Sequence, residues 1–463
     1  MISPEVIHKV LASAVSRGGE FAEIFIEDKQ SSSASFDDGK VEELSSGISK
    51  GAGIRVVVGD TTGFAHTADL SEPGLLAAAE AARSVALSAD SNARPIVLDS
   101  AVSYRLPDEI LIPSSIGKRE KIELLEHMNQ VARSSSGSIK QVSAGFGDSY
   151  RKILVANTDG IFATDEQVRT RISVSVVAFG DTGMQTGYET AAFTMGYEMF
   201  NEIDIEELAK LASERAVRKL SARPAPSGTL PVVLKGGSGG ILFHEACGHG
   251  LEADHIIKDS SVYKGKIGEL VASPLITLVD DGTVGKQWGS AQIDDEGKPS
   301  QRNVLIKDGV LTDYMWDGLR ARKSNRSSSG NGRRQSYQHL PMVRMTNTYL
   351  LEGDEKPETI IENTKHGVYV ARLGGGQVNT ATGDFVFGMT EAYLIENGEI
   401  TEPLRDANLI GNGPEVLKNI DAVADDFSIT PGTCGKDGQS VPVGCGQATV
   451  RITGVTIGGT ANG

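Results

Sequence analysis

Cysteine and aromatic residues are both scarce in this chain. Only 5% of its residues are aromatic, which argues against a stacking surface for single-stranded nucleic acid. There are three cysteines, an odd and small number that fits a reducing compartment better than a disulfide-stabilised secreted fold. We therefore expect a cytoplasmic protein, in which a cysteine is a ligand or has no special role.

Positive charge and long apolar runs are also lacking. The chain has 61 acidic against 45 basic residues and a formal net charge of -16, which disfavours nucleic acid as a partner because the phosphates would be repelled. Apolar runs of about eighteen residues do not occur, so we predict no membrane span. Residues 1–20 have no basic start and no continuous apolar stretch, and their pattern favours an amphipathic helix over a signal peptide.

The chain does contain clear helix and hairpin signals. Helical periodicity predicts helices over Leu75–Leu87, Lys118–Arg133 and Ile203–Leu220. Alternating apolar runs separated by Asp-Gly or Asn-Gly pairs predict antiparallel hairpins with type I′ turns, for example at Asp308-Gly309 and Asn397-Gly398. The pattern as a whole predicts an α+β fold.

A change in amino-acid composition near the middle of the chain indicates a domain boundary. Residues 221–228 contain two prolines and several small residues, a composition typical of an extended linker. We predict an N-terminal domain of helices and antiparallel sheet over residues 1–222. A mainly β C-terminal domain over residues 229–463 is expected to follow, and to carry a helix with an unusual motif.

That motif is the run Phe243–Asp254, FHEACGHGLEAD, which holds two imidazoles and a carboxylate within six residues. Two neutral histidines can bind a zinc ion, and Glu245 can accept a proton from a water that zinc activates. The spacing is HExxxH, and residues five apart on a regular α-helix differ by about 140° around the axis. His244 and His249 can face one metal only if a π-bulge or a break separates them. The two glycines that flank His249 lower the cost of this distortion.

The third metal ligand is not decided by spacing. A catalytic zinc usually takes three protein ligands and leaves one position for water. Cys434 lies in a glycine-rich loop, and its soft thiolate would favour zinc, but Cys247 and Cys445 offer the same chemistry. Glu252 and Asp254 are further candidates, either as ligands or as acceptors for the outer N–H groups of the imidazoles.

Five motifs in the C-terminal half point to a known family. They are HEACGHGLEAD from His244, RQSY from Arg334, MTNT from Met345, GGGQVN from Gly374 and CGKDGQ from Cys434. With these motifs the chain resembles the TldD/PmbA (TldE) peptidases, specifically the TldD-like catalytic type. The resemblance implies a zinc metallopeptidase for unfolded or flexible peptides, with one Zn²⁺ per chain bound by His244, His249 and Cys434. It also implies assembly with a TldE-like subunit that lacks the metal motif, or a homo-oligomer.

Two further sets of residues are candidates for handling a peptide substrate. Tyr337 and His339 carry donors that can stabilise an oxyanion, although both residue types are often purely structural. Gly375, Gly376 and Gln377 lie next to a predicted strand, where a peptide backbone could pair with the sheet edge. An ordinary bend in the strand is the alternative interpretation of this glycine run.

The leading hypothesis is a zinc-dependent peptidase in which Glu245 is the general base and later protonates the leaving amine. The alternative is a peptide-binding or maturation scaffold with a structural zinc, which requires a fourth protein ligand such as Cys445, Cys247 or Asp254. A zinc hydrolase acting on small amides is a third hypothesis. The number of protein ligands separates the first two, because three leave a position for water and four do not.

Overall fold

A computed structural model describes residues 2–86, 96–98 and 100–459 of the chain. In its N-terminal half, helices and long strands alternate. These elements are α1 Pro4–Val15, β1 Phe21–Asp37, β2 Lys40–Val58, β3 Thr61–Thr67, α2 Glu72–Ala86, β4 Val102–Ser103, α3 Lys118–Ser134, β5 Ile139–Asn157, β6 Phe162–Gly180, β7 Gly183–Phe193 and α4 Ile205–Lys219. The strands form one sheet in the order β3-β2-β1-β5-β6, and both β7 and β4 pair with β6.

The helices pack on one face of this sheet because each has a continuous apolar side. In α1, Ser3 caps the N-terminus by accepting from the Val6 N–H, and the apolar side of the helix is buried against α2 and β1. The three helices predicted from periodicity are confirmed as α2, α3 and α4, except that Leu87 lies outside the described residues. On the opposite face of the sheet, Phe25 packs in a cluster with Ile293 and Tyr337 of the C-terminal half.

The C-terminal half is dominated by short strands. Its elements are β8 Arg223–Pro224, β9 Gly228–Leu234, α5 Gly240–Phe243, α6 Ala253–Ile257, β10 Leu278–Asp281, β11 Arg302–Lys307, β12 Val310–Leu311, α7 Gly318–Lys323, β13 Gly332–Arg333, β14 Met342–Val343, β15 Asn347–Leu350, α8 Pro357–Glu362, β16 His366–Val378, β17 Asp384–Glu396, β18 Glu399–Arg405, β19 Ala407–Asn412, α9 Gly413–Lys418, β20 Ile420–Val423, β21 Ser428–Lys436, β22 Gln439–Gln447 and β23 Val450–Gly458. The protein is therefore α+β, as the sequence predicts.

Two sheets organise this half. One runs β12-β11-β10-β15-β22-β21, and the other runs β16-β9-β23-β19-β17-β18-β8 with β20 paired to β23. An additional pairing between β16 and β17 closes five strands of the second sheet into a ring. The predicted type I′ turns are confirmed, since both Asp308-Gly309 and Asn397-Gly398 have positive φ at both positions.

The short helix α5 lies directly against strand β22. A Cβ added to Gly240 would come within 2.4 Å of the Cys445 carbonyl carbon, so only glycine permits this approach. Leu242 and Phe243 fix the helix from the other side, because both are buried in the main C-terminal core. The HExxxH segment is thus held next to the β21–β22 hairpin.

Within the described residues, every helix is either too short or too polar to cross a membrane.

Candidate metal centre

The HExxxH segment departs from α-helical geometry in the way that its spacing predicts. His244–Gly248 forms a π-helical turn, in which the His249 N–H donates to the His244 carbonyl. The two imidazole rings then lie 5.2 Å apart, centre to centre, at an angle of 82°. Gly248 packs closely here, since an added Cβ would come within 2.1 Å of the Met345 sulfur and the Met345 side chain would have to move. The predicted distortion is confirmed, and it brings both imidazoles to one place.

Strand β21 adds a sulfur atom to this pair. One donor atom each from His244, His249 and Cys434 lies within 4.8 Å of the other two. The distance from His249 Nε2 to Cys434 Sγ is 3.4 Å. Two such ligands on a tetrahedral zinc are about 3.6 Å apart, given Zn–N near 2.05 Å and Zn–S near 2.3 Å.

Unpartnered nitrogen atoms also fit a metal. Both ring nitrogens of His244 are buried and have no hydrogen-bond partner among the described residues. Buried polar atoms are rarely left unsatisfied, so an orphaned imidazole beside a thiol suggests a missing partner. Imidazole nitrogen and thiolate sulfur are both ligands that zinc binds in proteins.

The other candidate ligands lie outside this three-residue group. Cys247 is buried in the core beside Tyr263, and burial raises the pKa of its thiol to about 12. Asp254 accepts a hydrogen bond from Lys436 at 2.8 Å. Cys445 is close to His244 and favours the protonated form of that imidazole. However, Cys445 is not a member of the three-donor group. Within the described part of the chain, the donor group that contains both motif histidines therefore has three members.

The thiol and the imidazoles influence each other's protonation. Burial by itself would raise the pKa of Cys434, but the charges of His244 and His249 outweigh burial and lower the pKa to about 4. Burial likewise opposes the charge on His249, whereas Glu252 and Cys434 raise its pKa to about 10. Without a metal ion, these mutual effects favour a thiolate beside imidazolium groups. A divalent cation would replace those imidazolium protons, as expected where metal binding and proton release are coupled.

Glu252 and Lys436 hold His249 in position. Glu252 Oε2 lies 2.9 Å from His249 Nδ1, and the Lys436 ammonium donates to the same oxygen at 2.9 Å. Burial opposes the ionised carboxylate, but His249 and Lys436 lower the pKa of Glu252 to about 2. The side chain of Lys436 also reaches Asp254, so its ammonium occupies the space between the two carboxylates.

Sequence reasoning missed Lys436, although a signal was present. Cys434 and Lys436 are two residues apart, so on a strand they project to the same face of the sheet. The turn Asp437-Gly438 follows with positive φ at both positions, which marks the end of this strand.

We expect Lys436→Met to weaken zinc binding by about 10–100-fold, the effect typical of losing an outer-sphere partner. Without the ammonium, Glu252 and Asp254 repel each other, and the acceptor that orients His249 shifts. Competition with a fluorescent chelator would measure the affinity, and Lys436→Arg is the matched control that keeps the charge. Unchanged affinity in a folded Lys436→Met protein would contradict this role.

Glu245 is the most solvent-accessible group of the site. Its side chain is 27% exposed, whereas that of His249 is 8% exposed. One carboxylate oxygen lies 3.5 Å from His249 Nε2, the nitrogen that also approaches Cys434. A proton acceptor therefore borders the donor cluster on a side that solvent can reach.

A cleft with a volume of about 410 Å³ lies beside the β21–β22 hairpin, which carries Cys434. Gly374 and Gly375 of β16 line one wall, and Thr433 and Cys445 line another. Cys445 lies close to His244, but neither the three donors nor Glu245 belongs to the lining of the cleft. A peptide in an extended conformation is narrow enough for a cleft of this kind.

The three candidate substrate-binding residues differ in their position relative to the cleft. Gly375 lines the cleft, whereas Gln377 is exposed and Gly376 abuts Phe387, whose ring would lie 2.2 Å from an added Cβ. Their role in substrate binding stays a prediction.

The candidate oxyanion donors pack elsewhere. Tyr337 is buried beside Gly51 and Phe25 of the N-terminal sheet, and its backbone N–H donates to Glu27. The ring of His339 lies 2.9 Å from the Ser336 hydroxyl. None of the hydrogen bonds found among the described residues joins Tyr337 or His339 to the three donors. Their assignment as oxyanion donors stays a prediction.

Comparison with known proteins covers almost the whole chain. Three family models match in order: PmbA/TldA metallopeptidase domain 1 over residues 22–86, the central domain over 112–220 and the C-terminal domain over 227–459. A metalloprotease TldD homolog of Haemophilus influenzae is 43% identical over 96% of this chain and 94% of its own length. A zinc metalloprotease TldD homolog of Saccharolobus solfataricus is 28% identical over 97% of this chain and 99% of its own length.

A solved structure shares the fold. The crystal structure of TldE from Thermococcus kodakarensis superimposes with a TM-score of 0.80, covering 98% of this chain and 99% of that one. At 20% sequence identity, the likeness concerns the fold alone.

Proposed function

This chain belongs to the PmbA/TldA metallopeptidase family, and from that premise we propose that it hydrolyses flexible peptides with one bound zinc ion. It is a metallopeptidase, as its relatives' names indicate. The observation that carries the finer proposal is the group of three buried donors with the more exposed Glu245 carboxylate beside it. Three ligands leave one position for water, which is the arrangement of a catalytic zinc.

Each residue of the site has a distinct role in this proposal. His244, His249 and Cys434 hold the ion, while Glu252 orients His249 through its outer nitrogen. When bound, zinc supplies Lewis-acid activation of water and of the peptide carbonyl. Glu245 accepts the proton of the attacking water and delivers it to the leaving amine nitrogen.

The cleft supports a peptide as the substrate. The exposed backbone of β16 at Gly375 can pair with an extended peptide, which gives affinity through main-chain hydrogen bonds rather than through particular side chains. Folded proteins present few such extended segments, so we propose unfolded or flexible peptides as the substrate class.

We further propose a reducing compartment, the cytoplasm, because all three cysteines are free thiols. The fold shared with TldE supports assembly with a TldE-like chain or with a second copy, which measurement of the mass in solution would distinguish.

Removal of the metal tests the proposal. We expect elemental analysis to find about one zinc per chain. After chelation, the rate of peptide hydrolysis should fall by about 100-fold or more, because zinc lowers the activation free energy of such reactions by several kcal/mol. Added zinc should restore the activity, and circular dichroism before and after chelation would control for unfolding. Full hydrolysis by zinc-free, folded protein would refute the proposal.

A further inference from the structure

A second cavity, here named the basic cavity, lies where the N-terminal sheet meets the C-terminal half. Its volume is about 220 Å³. Five cationic side chains line it, contributed by β1, β5, β6, β13 and the residue after β13: Lys29, Arg151, Arg169, Arg333 and Arg334. Such a concentration of positive charge is unexpected in a chain with a net charge of -16.

Two acidic residues of the wall do not balance this charge. Asp295 pairs with Arg151 at 2.9 Å, and its other carboxylate oxygen accepts the backbone N–H of Arg334 at 2.8 Å. Asp294 accepts only backbone N–H groups, and burial raises its pKa well above the ordinary value, which favours the neutral acid. Arg334 is paired with Glu23 behind the cavity wall.

Arg169 and Arg333 contact no carboxylate among the described residues. Arg169 donates to the carbonyls of Trp288 and Ser290 and to Gln167, which uses three of the five N–H donors of a guanidinium. Arg333 donates to the carbonyls of Met345 and Pro442, which uses two. Both side chains are largely buried, so their remaining donors have little access to bulk water.

Lys29 and one nitrogen of Arg151 are also available. Within the described part of the chain, the Lys29 ammonium makes no hydrogen bond or ion pair, and Arg151 Nη2 is buried without a partner. A buried donor such as Arg151 Nη2 is costly unless a ligand satisfies it, whereas Lys29 is half-buried.

The cations of the cavity also repel one another. Burial, followed by the charges of Arg333 and Arg151, lowers the pKa of Arg169 to about 9. Burial also lowers the pKa of Lys29, with the charge of Arg151 adding to the effect. A bound anion would relieve this repulsion, because opposite charges attract strongly away from bulk water.

The basic cavity adjoins the cleft beside the metal centre. Trp288 and Thr433 line both cavities, and Thr433 immediately precedes Cys434. In the β21–β22 hairpin, Thr433 pairs with Pro442, whose carbonyl accepts from Arg333. A peptide lying in the cleft can therefore extend one end towards these cations.

We infer that the basic cavity binds a carboxylate group of the peptide substrate, with Lys29, Arg169 and Arg333 as donors. The inference rests on the proposed peptidase function and specifies its substrate class. Arginine donors match a carboxylate well, because their planar fork can donate two parallel hydrogen bonds. The C-terminal carboxylate and the side chain of Asp or Glu share this chemistry, and the volume suits such a group with a short piece of chain.

The test compares peptides that differ only in charge. Hydrolysis would be measured for one sequence with a free C-terminus, with a C-terminal amide, and with an internal Glu replaced by Gln. We expect removal of the recognised carboxylate to raise KM by about tenfold or more, as for loss of one hydrogen bond to a charged group. The amide identifies the C-terminus as the source, and the Glu-to-Gln peptide identifies the side chain.

Variants assign the effect to the basic cavity. Lys29→Gln removes a charge whose ammonium makes no hydrogen bond or ion pair among the described residues, whereas Arg169→Gln also removes hydrogen bonds to Trp288, Ser290 and Gln167. Either variant should reduce the preference for the carboxylate peptide several-fold, the effect of losing a hydrogen bond to a charged group. Lys152→Gln is the matched control, because Lys152 follows Arg151 on β5, points to the other face of the sheet and pairs with Glu166. If wild type treats all peptides alike, or if Lys29→Gln in a folded protein leaves the preference intact, the inference is wrong.

Binding separates this inference from the proposed function. Zinc-loaded Glu245→Gln protein should bind a fluorescent peptide without cleaving it, so its affinity for acid and amide forms can be compared directly. Preferential binding of the acid form by a wild-type protein that hydrolyses no peptide would support the carboxylate site and contradict the peptidase proposal. If the protein hydrolyses peptides but binds the acid and amide forms equally, and the Glu and Gln peptides equally, the peptidase proposal is supported and the carboxylate site is contradicted.

Discussion

Glu245→Gln should leave zinc bound and reduce peptide hydrolysis by about a thousandfold or more, within or above the range usual for general acid–base catalysis. Glutamine has nearly the same shape as glutamate but accepts no proton at neutral pH. Glu245 is not one of the three metal donors, so the ion should stay in place. Its oxygen lies 3.5 Å from His249 Nε2, close to where an attacking water would have to sit.

The measurement is kcat with a saturating peptide, together with zinc content by elemental analysis. Glu269→Gln is a suitable control, because Glu269 is an exposed acid of the same half of the chain. Retained hydrolysis by zinc-loaded Glu245→Gln protein would remove Glu245 from the reaction. Loss of zinc from this variant would instead indicate that the carboxylate helps to bind the ion.

Cys434→Ser should abolish zinc binding at micromolar concentration, and hydrolysis with it. A serine hydroxyl remains protonated at neutral pH, whereas the neighbouring imidazoles lower the pKa of Cys434 to about 4 and keep a thiolate ready for the metal. Loss of a direct ligand should exceed the roughly 10–100-fold effect of losing an outer-sphere partner.

Cys445→Ser is the matched control for Cys434→Ser. Both cysteines are buried, and both lie on the same hairpin, where Cys445 pairs with Thr430 and Cys434 pairs with Val441. Zinc affinity measured by chelator competition should fall in Cys434→Ser and change little in Cys445→Ser. The opposite result would make Cys445 the third ligand. A fall in both variants would indicate four protein ligands and would favour the scaffold with a structural zinc.

Much of the local structure could be predicted from residues close together in sequence. Periodicity located α2, α3 and α4, and the Asp-Gly and Asn-Gly pairs located type I′ turns, because backbone sterics act over a few residues. The five-residue spacing of His244 and His249 predicted the π-helical turn for the same reason. These features depend on geometry that a short segment carries by itself.

The third member of the donor group could not be chosen in this way. Cys434 reaches His249 from 185 residues away, because β22 pairs in parallel with β15 and β21, the first strand of the same hairpin, pairs with β22. Cys247 is much closer in sequence, yet the π-helical turn directs it into the core beside Tyr263. Strand pairing and burial make this choice, and neither leaves a periodic signal in the sequence.

By itself, then, the sequence determined the fold class, the metal motif and the distortion between its histidines. Only the tertiary structure decided which cysteine joins them, that Lys436 supports Glu252, and that Lys29, Arg169 and Arg333 share one cavity. The physical reason is range: dihedral preferences act between neighbours, whereas donor groups and charged cavities arise where distant strands are packed together.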